Sequence, residues 1–118
     1  PVMCAVALKA LEKISDPALL KRVVDMGEML RAELETINKE LGIFKEVRGR
    51  GLMIGAELID AHAGKAGDIS EAARKAGVLV LQAGPNVSRF LPPLNVTEDE
   101  LRDGMLRFRN GLHAYLGK

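Results

Sequence analysis

The sequence has little that would serve binding to nucleic acid or to a membrane. Trp is absent, 3% of the 118 residues are aromatic, and 17 basic and 16 acidic side chains give a formal net charge of +1. A chain so close to neutral has no excess positive charge to attract nucleic acid or anionic lipid. It also lacks aromatic side chains on which the bases of a single-stranded nucleic acid could stack. No run of about 18 uncharged apolar residues and no signal-peptide pattern is present. We therefore expect neither nucleic acid nor a membrane as a partner.

Cysteine is nearly absent as well. The single Cys4 cannot form an internal disulfide, and together with the distant His62 and His113 it makes no metal site. A reducing, cytoplasmic location is the natural prediction. Cys4 lies in an alanine-rich segment, which favours burial as a small apolar side chain over use as a nucleophile. Neither histidine has an acid or base partner that is evident from the sequence.

The remaining composition, 47% hydrophobic and 28% charged, is typical of one globular domain. Residues 1–41 are predicted to be helical. Pro1 suits a first helical position but has no capping residue before it, which favours a truncated segment, although removal of an initiator Met is an alternative. Asp16 and Pro17 are predicted to begin a second helix that ends at Gly42. Its apolar stripe consists of Leu20, Val23, Gly27, Leu30, Leu34, Ile37 and Leu41.

Residues 43–95 are predicted to contain a sheet, and residues 97–116 a final helix. Strands are expected at 44–48, 52–58, 78–81 and 87–91, with a bend or bulge at 49–51 and a surface loop at 60–67. Between the second and third strands a short helix is expected, capped by Asp68 and closed by Gly77. Thr97 and Glu100 predict a capping box for the final helix. Its apolar stripe is Leu101, Met105, Phe108 and Leu112. The fold class is α+β, with a small, mostly antiparallel sheet of about four strands covered by helices.

Arg89 is the strongest candidate for chemistry. It lies in a short strand between apolar residues, just before the rigid corner of Pro92 and Pro93. An arginine held there can present its planar fork to a carboxylate and make two charge-assisted hydrogen bonds. The alternatives are an exposed edge-strand arginine and a structural ion pair. The residues alone indicate one anion anchor and no catalyst.

The run Arg48-Gly49-Arg50-Gly51 can also be interpreted as a phosphate cradle. Such a cradle needs a following helix to direct its N-terminus at the anion, whereas a strand is predicted here. A strand bend is therefore the favoured interpretation. Arg48 and Arg50 are then expected to pair with local carboxylates or with another domain.

Three stretches in series resemble class III aminotransferases, which depend on pyridoxal phosphate (PLP). They are residues 1–12 (PVMCAVALKALE), 47–58 (VRGRGLMIGAEL) and 76–94 (AGVLVLQAGPNVSRFLPPL), and the resemblance covers essentially the whole chain. The turn of residues 83–86 before Arg89 favours the branch that acts on acylated ornithines, acetylornithine or succinylornithine, over the ornithine and 4-aminobutyrate branches. Succinyl-diaminopimelate stays open as a third substrate.

The resemblance implies a specific architecture and one site residue. The family is a homodimer of fold-type I subunits, each with a large PLP-binding domain and a small domain. Residues 1–118 look like the C-terminal part of that small domain, in an enzyme of arginine metabolism that passes the terminal amino group to 2-oxoglutarate. Arg89 matches the arginine that binds the substrate α-carboxylate, and residues 84–86 would form the adjoining loop. The PLP lysine and the acidic partner of the pyridine nitrogen have no counterpart here, so the isolated chain is expected to bind no PLP and to be inactive.

Two other functional classes stay open on the residues alone. One is a free-standing binding or regulatory module of α+β type that takes a small carboxylate at Arg89. The other is a structural interaction domain, because the first helix and the strands can carry apolar faces that nothing in this chain covers.

Overall fold

A computed structural model describes all 118 residues. Its elements are helix α1 (Val2–Ile14), helix α2 (Pro17–Leu41), strands β1 (Phe44–Arg50) and β2 (Met53–Leu58), a single 3₁₀ turn (Asp60–His62), helix α3 (Ala66–Lys75), strands β3 (Leu81–Gln82) and β4 (Val87–Phe90), and helix α4 (Glu98–Leu116). The predicted α+β class is confirmed, with a sheet of four strands.

Helix α2 begins and ends where the sequence predicts. The Asp16 carboxylate accepts a hydrogen bond from the backbone N–H of Ala18, and Gly42 ends the helix with a φ of 63°. The middle of the stripe is buried, but Leu20 is 49% exposed, because the core begins only at Met26. Arg31 reaches from the helix to β1 and donates to the carbonyl oxygens of Val47 and Gly49.

Strands β1 and β2 form a tight hairpin rather than two strands separated by a bend. β1 continues through Arg50, which pairs with Met53, so only Gly51 and Leu52 lie in the turn. The expectation of a bend or bulge at residues 49–51 is thus wrong, and the single irregularity lies at Phe44–Glu46. Gly49, with a φ of 141°, and Gly51, with a φ of 51°, keep the backbone in the ladder up to the turn.

The sheet is antiparallel throughout, in the order β1-β2-β4-β3. Its inner face carries buried side chains of the central strands, among them Ile54, Ala56 and Phe90, which pack with helices α2, α3 and α4. Its outer face carries exposed residues such as Met53 and Leu81. The helices therefore cover one face only, and nothing in this chain covers the other.

Two predictions between β2 and β4 are wrong. Helix α3 begins at Ala66 without a side-chain cap, so Asp68 lies in its first turn instead of capping it. The expected strand 78–81 is reduced to Leu81–Gln82. The N–H of Val78 instead bonds the carbonyl of Ala73 to close α3, which holds the following backbone out of the ladder.

The last and first helices differ in how much they bury. Helix α4 has the predicted capping box of Thr97 and Glu100, and its predicted stripe is buried. Helix α1 buries no residue and packs mainly against α2, so Cys4 is exposed, contrary to the expected burial. No helix is both long and apolar enough to cross a lipid bilayer.

Candidate functional site

The candidate site is the outer face of the sheet, which the strand register arranges in rows. Arg48, Gly55, Arg89 and Leu81 form one row across the four strands. On either side of Gly55 along β2 lie Met53 and Glu57, which pair with Arg50 and Glu46 on β1. Gly55 itself has no side chain between the two arginines of the middle row, and the space above it is occupied by Val87 of β4, whose Cγ1 lies 3.1 Å from where a Cβ at position 55 would be.

Arg89 lies on this outer face because side chains alternate along β4. Its neighbours Ser88 and Phe90 point to the core and are buried, while Arg89 is half-buried. Of the nine arginines in the chain, seven donate hydrogen bonds to carboxylates or to backbone carbonyls, and only Arg50 and Arg89 have no partner. The half-buried Arg89 is thus a cation that the chain itself does not neutralise.

Beside Arg89 lies a cluster of charged side chains that is fully paired. Glu57 on β2 accepts a hydrogen bond from Nη1 of Arg48 at 2.6 Å, and its other oxygen lies 3.0 Å from Nζ of Lys45. Arg48 also bonds Glu46 at 2.7 Å. The expectation that Arg48 pairs with local carboxylates agrees with this geometry, whereas Arg50 has no such partner.

These contacts fix the ionisation state of the cluster. The hydrogen bond from Arg48, followed by that from Lys45, lowers the pKa of Glu57 below its usual value of 4.5. Glu57 in turn raises the pKa of Arg48 and of Lys45. At neutral pH the cluster is therefore ionised, and both oxygens of Glu57 are occupied from the β1 side.

A cavity of about 400 Å³ adjoins the edge of the sheet at β3 and β4. Its wall is formed by residues 78–81, residues 89–93 and the first turns of α4, and it is mostly apolar. Arg89 is one of its two charged lining residues, the other being Glu100. Pro92 and Pro93 line the same cavity and stiffen the backbone that follows Arg89.

The other candidate residues are not brought to this site. His62 lies on the 3₁₀ turn with Nδ1 3.1 Å from the hydroxyl of Tyr115, and His113 contacts Glu40 on α2. Cys4 lies on the exposed helix α1. Sequence reasoning singled out Arg48 but missed Lys45 and Glu57. Strict alternation from Phe44 would place Arg48 on the inner face, and only the irregularity at Phe44–Glu46 brings it to the same face as Glu57.

Comparison with known proteins gives a consistent result. The family model described as aminotransferase class-III matches residues 1–112. The acetylornithine aminotransferase of Xanthomonas campestris pv. campestris is 48% identical over 118 residues, which are 100% of this chain and 29% of the relative.

Solved structures agree in fold. The N-acetylornithine aminotransferase of Stenotrophomonas maltophilia superimposes with a TM-score of 0.93 at 44% identity, over 96% of this chain and 31% of that chain. The ornithine aminotransferase of Toxoplasma gondii, a structure with partial occupancy of PLP at its active site, superimposes with a TM-score of 0.86 at 30% identity, over 99% of this chain and 28% of that one. This chain spans less than a third of the length of these relatives.

Proposed function

We propose, because this chain belongs to the class-III aminotransferase family, that it forms the C-terminal small domain of a PLP-dependent aminotransferase that acts on an N-acylated ornithine. In the complete enzyme, the terminal amino group of N-acetylornithine or succinylornithine would pass to 2-oxoglutarate. The names of the relatives, 48% identical in one case, support the acylated-ornithine branch.

The observation that carries this proposal is the unpaired, half-buried guanidinium of Arg89. A substrate carboxylate at that fork would receive two parallel charge-assisted hydrogen bonds. Because β4 and the Pro92-Pro93 corner hold the backbone on both sides, the fork would be oriented before substrate arrives. A substrate fixed at its carboxylate would then hold its other end at a fixed distance from Arg89. In this way an arginine that only anchors the substrate can accelerate a reaction in which it takes no chemical part.

The residues of this chain do not fit PLP itself. The cofactor supplies the aldehyde that carries the amino group, and it requires a lysine held in a pocket and donors for its phosphate. All eight lysines of this chain are exposed. The turn at Gly51 leads into a strand and not into a helix N-terminus that could bind phosphate. We therefore assign no residue of this chain to the cofactor, and the role proposed for this chain is to position substrate.

The same family membership supports three further parts of the proposal. The complete protein would be a homodimer, its location would be the cytoplasm, and its pathway would be arginine metabolism. The uncovered outer face and the uncovered helix α1 would both lie against the remainder of the enzyme.

The experiment compares the full-length protein with residues 1–118 alone, each mixed with PLP. We expect the full-length protein to transfer the amino group of N-acetylornithine or succinylornithine to 2-oxoglutarate faster than that of ornithine or 4-aminobutyrate. The 118-residue chain should show no turnover and only weak absorbance from scattered surface lysines. Stoichiometric cofactor binding with turnover by residues 1–118 would contradict the proposal, as would a full-length protein without aminotransferase activity.

A further inference from the structure

Strand β4 begins at a turn, residues 83–86, that is docked onto the segment following β2. Two backbone hydrogen bonds make this junction. The N–H of Leu58 donates to the carbonyl oxygen of Asn86 at 2.8 Å, and the N–H of Ala66 donates to that of Pro85 at 3.0 Å. Helix α3 has no side-chain cap, so its first N–H is satisfied by this turn.

Asn86 adds a third hydrogen bond to the junction through its side chain. Its Oδ1 accepts from the N–H of Gly64 at 2.7 Å. Gly64 has a φ of 79°, a backbone conformation that suits glycine and presents this N–H to the turn. The two backbone bonds can form with any residue at position 86, whereas the third requires a side-chain acceptor there. The side chain of Asn86 therefore ties the start of β4 to the surface loop of residues 59–65.

The start of β4 bears on Arg89 because the strand has only four residues. Val87 and Arg89 alternate onto the outer face. Val87 lies over Gly55, with its Cγ1 3.1 Å from where a Cβ at position 55 would be, and Gly55 is the residue that pairs with Arg89. A displacement at Asn86 would therefore move Val87 against the backbone directly opposite Arg89. On the other side β3 gives little support, since it pairs with β4 over two residues.

We propose that Asn86 is a positioning residue for the carboxylate site at Arg89. By holding the start of β4 against the loop at Gly64, its side chain keeps the guanidinium of Arg89 in one orientation before substrate arrives. The inference rests on the proposed function, because it assumes that Arg89 binds the substrate carboxylate. It requires no contact between Asn86 and substrate. It also holds whether or not another part of the complete enzyme pairs with Arg89 when substrate is absent.

The expected effect is on binding and not on the chemical step. Without the Asn86 bond, protein in which β4 has shifted must return to the binding-competent arrangement, and the apparent dissociation constant rises by the inverse of the competent fraction. This requirement applies equally to the ground state and the transition state, so KM rises while kcat changes little. The loss of one hydrogen bond of ordinary strength corresponds to an increase of about two- to tenfold.

The test uses the full-length, PLP-loaded enzyme with two substitutions at position 86. In Asn86→Ala, the KM for 2-oxoglutarate and the Kd of glutarate, a dicarboxylate without the oxo group, should both rise about two- to tenfold, with kcat within about twofold of wild type. In Asn86→Asp a carboxylate oxygen can accept the same bond, so both constants should stay within about twofold of wild type. Hydrogen exchange reports on the bond itself. The Gly64 amide should exchange faster in Asn86→Ala and close to the wild-type rate in Asn86→Asp.

Asn38→Ala is the matched control. Oδ1 of Asn38 accepts from the N–H of Phe44 at 2.8 Å, so the same substitution removes the same kind of bond between α2 and β1. Asn38 also donates to the carbonyl oxygen of Phe44, so this variant loses more hydrogen bonds than Asn86→Ala does. Strand β1 is separated from β4 by β2. A general loss of stability would raise KM in Asn38→Ala at least as much, whereas a positioning role of Asn86 leaves KM unchanged in the control.

Three results would overturn the inference: an unchanged KM in Asn86→Ala, an equal rise in Asn38→Ala, or a rise that Asn86→Asp shares. If Asn86→Ala fails to fold, Asn86→Leu keeps a side chain of similar length without the acceptor and should show the same rise in KM. An inactive wild-type enzyme would refute the proposed function instead. An active enzyme whose KM does not respond to the loss of the Asn86 acceptor would refute only this inference.

Discussion

Gly27 in α2 lies directly against Gly51 in the β1-β2 turn. A methyl group at position 27 would overlap the carbonyl oxygen of Gly51 and lie 2.7 Å from its carbonyl carbon. The contact sets the distance between the helix and the hairpin, and so the position of the hairpin that carries Arg48 and Glu57. Because the obstacle is backbone, no side-chain rotation can relieve it.

Substitution of this glycine should therefore destabilise the fold. Gly27→Ala gains roughly 1 kcal/mol of helix propensity, but overpacking against a backbone should leave a net loss of about 1–3 kcal/mol in the free energy of unfolding. The control is Gly104→Ala in α4, where the nearest atom to the added methyl group is Cγ2 of Val78 at 3.8 Å. That variant should be stabilised by about 0.5–1 kcal/mol. Urea denaturation measures both, and a Gly27→Ala protein as stable as wild type would contradict the packing argument.

Asn38 fixes the start of β1 relative to the end of α2. Its side-chain amide donates to the carbonyl oxygen of Phe44 and accepts from the N–H of the same residue, each at 2.8 Å. Asn38→Ala leaves both backbone groups of a buried residue without a partner and should cost about 1–3 kcal/mol. Thr36→Ala, which loses one exposed hydrogen bond within α2 to Ala32, should stay within about 0.5 kcal/mol. Equal stabilities of the two variants in urea would show that the amide is not needed.

Glu40 couples helix α2 to helix α4 in a pH-dependent way. The hydrogen bond from Arg109 lowers the pKa of Glu40 below its usual value of 4.5, with His113 as a weaker contributor. Since the folded-state pKa lies below the unfolded value, the ionised group stabilises the fold above pH 4.5. That contribution is lost as the pH falls through the folded-state pKa. The difference in Tm between wild type and Glu40→Gln should thus shrink as the pH falls below 4.5. Glu28→Gln, at an exposed position of α2 without an ion pair, is the control, and a pH-independent difference for Glu40→Gln would contradict the coupling.

The local rules of helix ends predicted much of this fold, because a cap depends on neighbours in sequence. Asp16, Gly42 and the Thr97–Glu100 box all act as expected. The wrong predictions for Leu20, Cys4 and the strand 78–81 share one cause: these apolar residues were expected to be buried by this chain itself. Leu79, in the expected strand 78–81, is 83% exposed, and Leu20 and Cys4 are exposed as well. An apolar pattern indicates that a surface is covered, but it cannot say by which part of a protein.

The candidate site was only partly predictable, because the sequence identifies Arg89 but not which residues lie beside it. The position of Arg89 between apolar residues and before two prolines marks it out in the sequence. That Glu57 lies diagonal to it depends on the register between β2 and β4, whose facing ends, Leu58 and Val87, are separated by 28 residues. Register over such a separation is set by packing and not by local sequence.

Helix α1 should be dispensable for the fold and responsible for association of the isolated chain. It buries no residue, and its exposed apolar side chains include Val2, Val6, Leu8 and Leu11. A chain that begins at Asp16 retains the cap of α2 and should change Tm by no more than about 4 °C. Light scattering should show that the 118-residue chain self-associates more strongly than the shorter one. Loss of cooperative unfolding in the shorter chain, or unchanged association, would contradict this role.

The most direct measurement is the catalytic efficiency of Arg89→Ala in the full-length enzyme, set against Arg50→Ala. Both arginines lie on the outer face and lack partners, so each substitution removes the same charge from the same surface. Arg89→Ala should raise the activation free energy that corresponds to kcat/KM by about 2–4 kcal/mol. The value of kcat/KM should therefore fall roughly 30- to 900-fold. Arg50→Ala, at the tip of the hairpin, should change it far less. An Arg89→Ala enzyme with the efficiency of wild type, or equal losses in the two variants, would contradict the assignment of Arg89 as the substrate-carboxylate anchor.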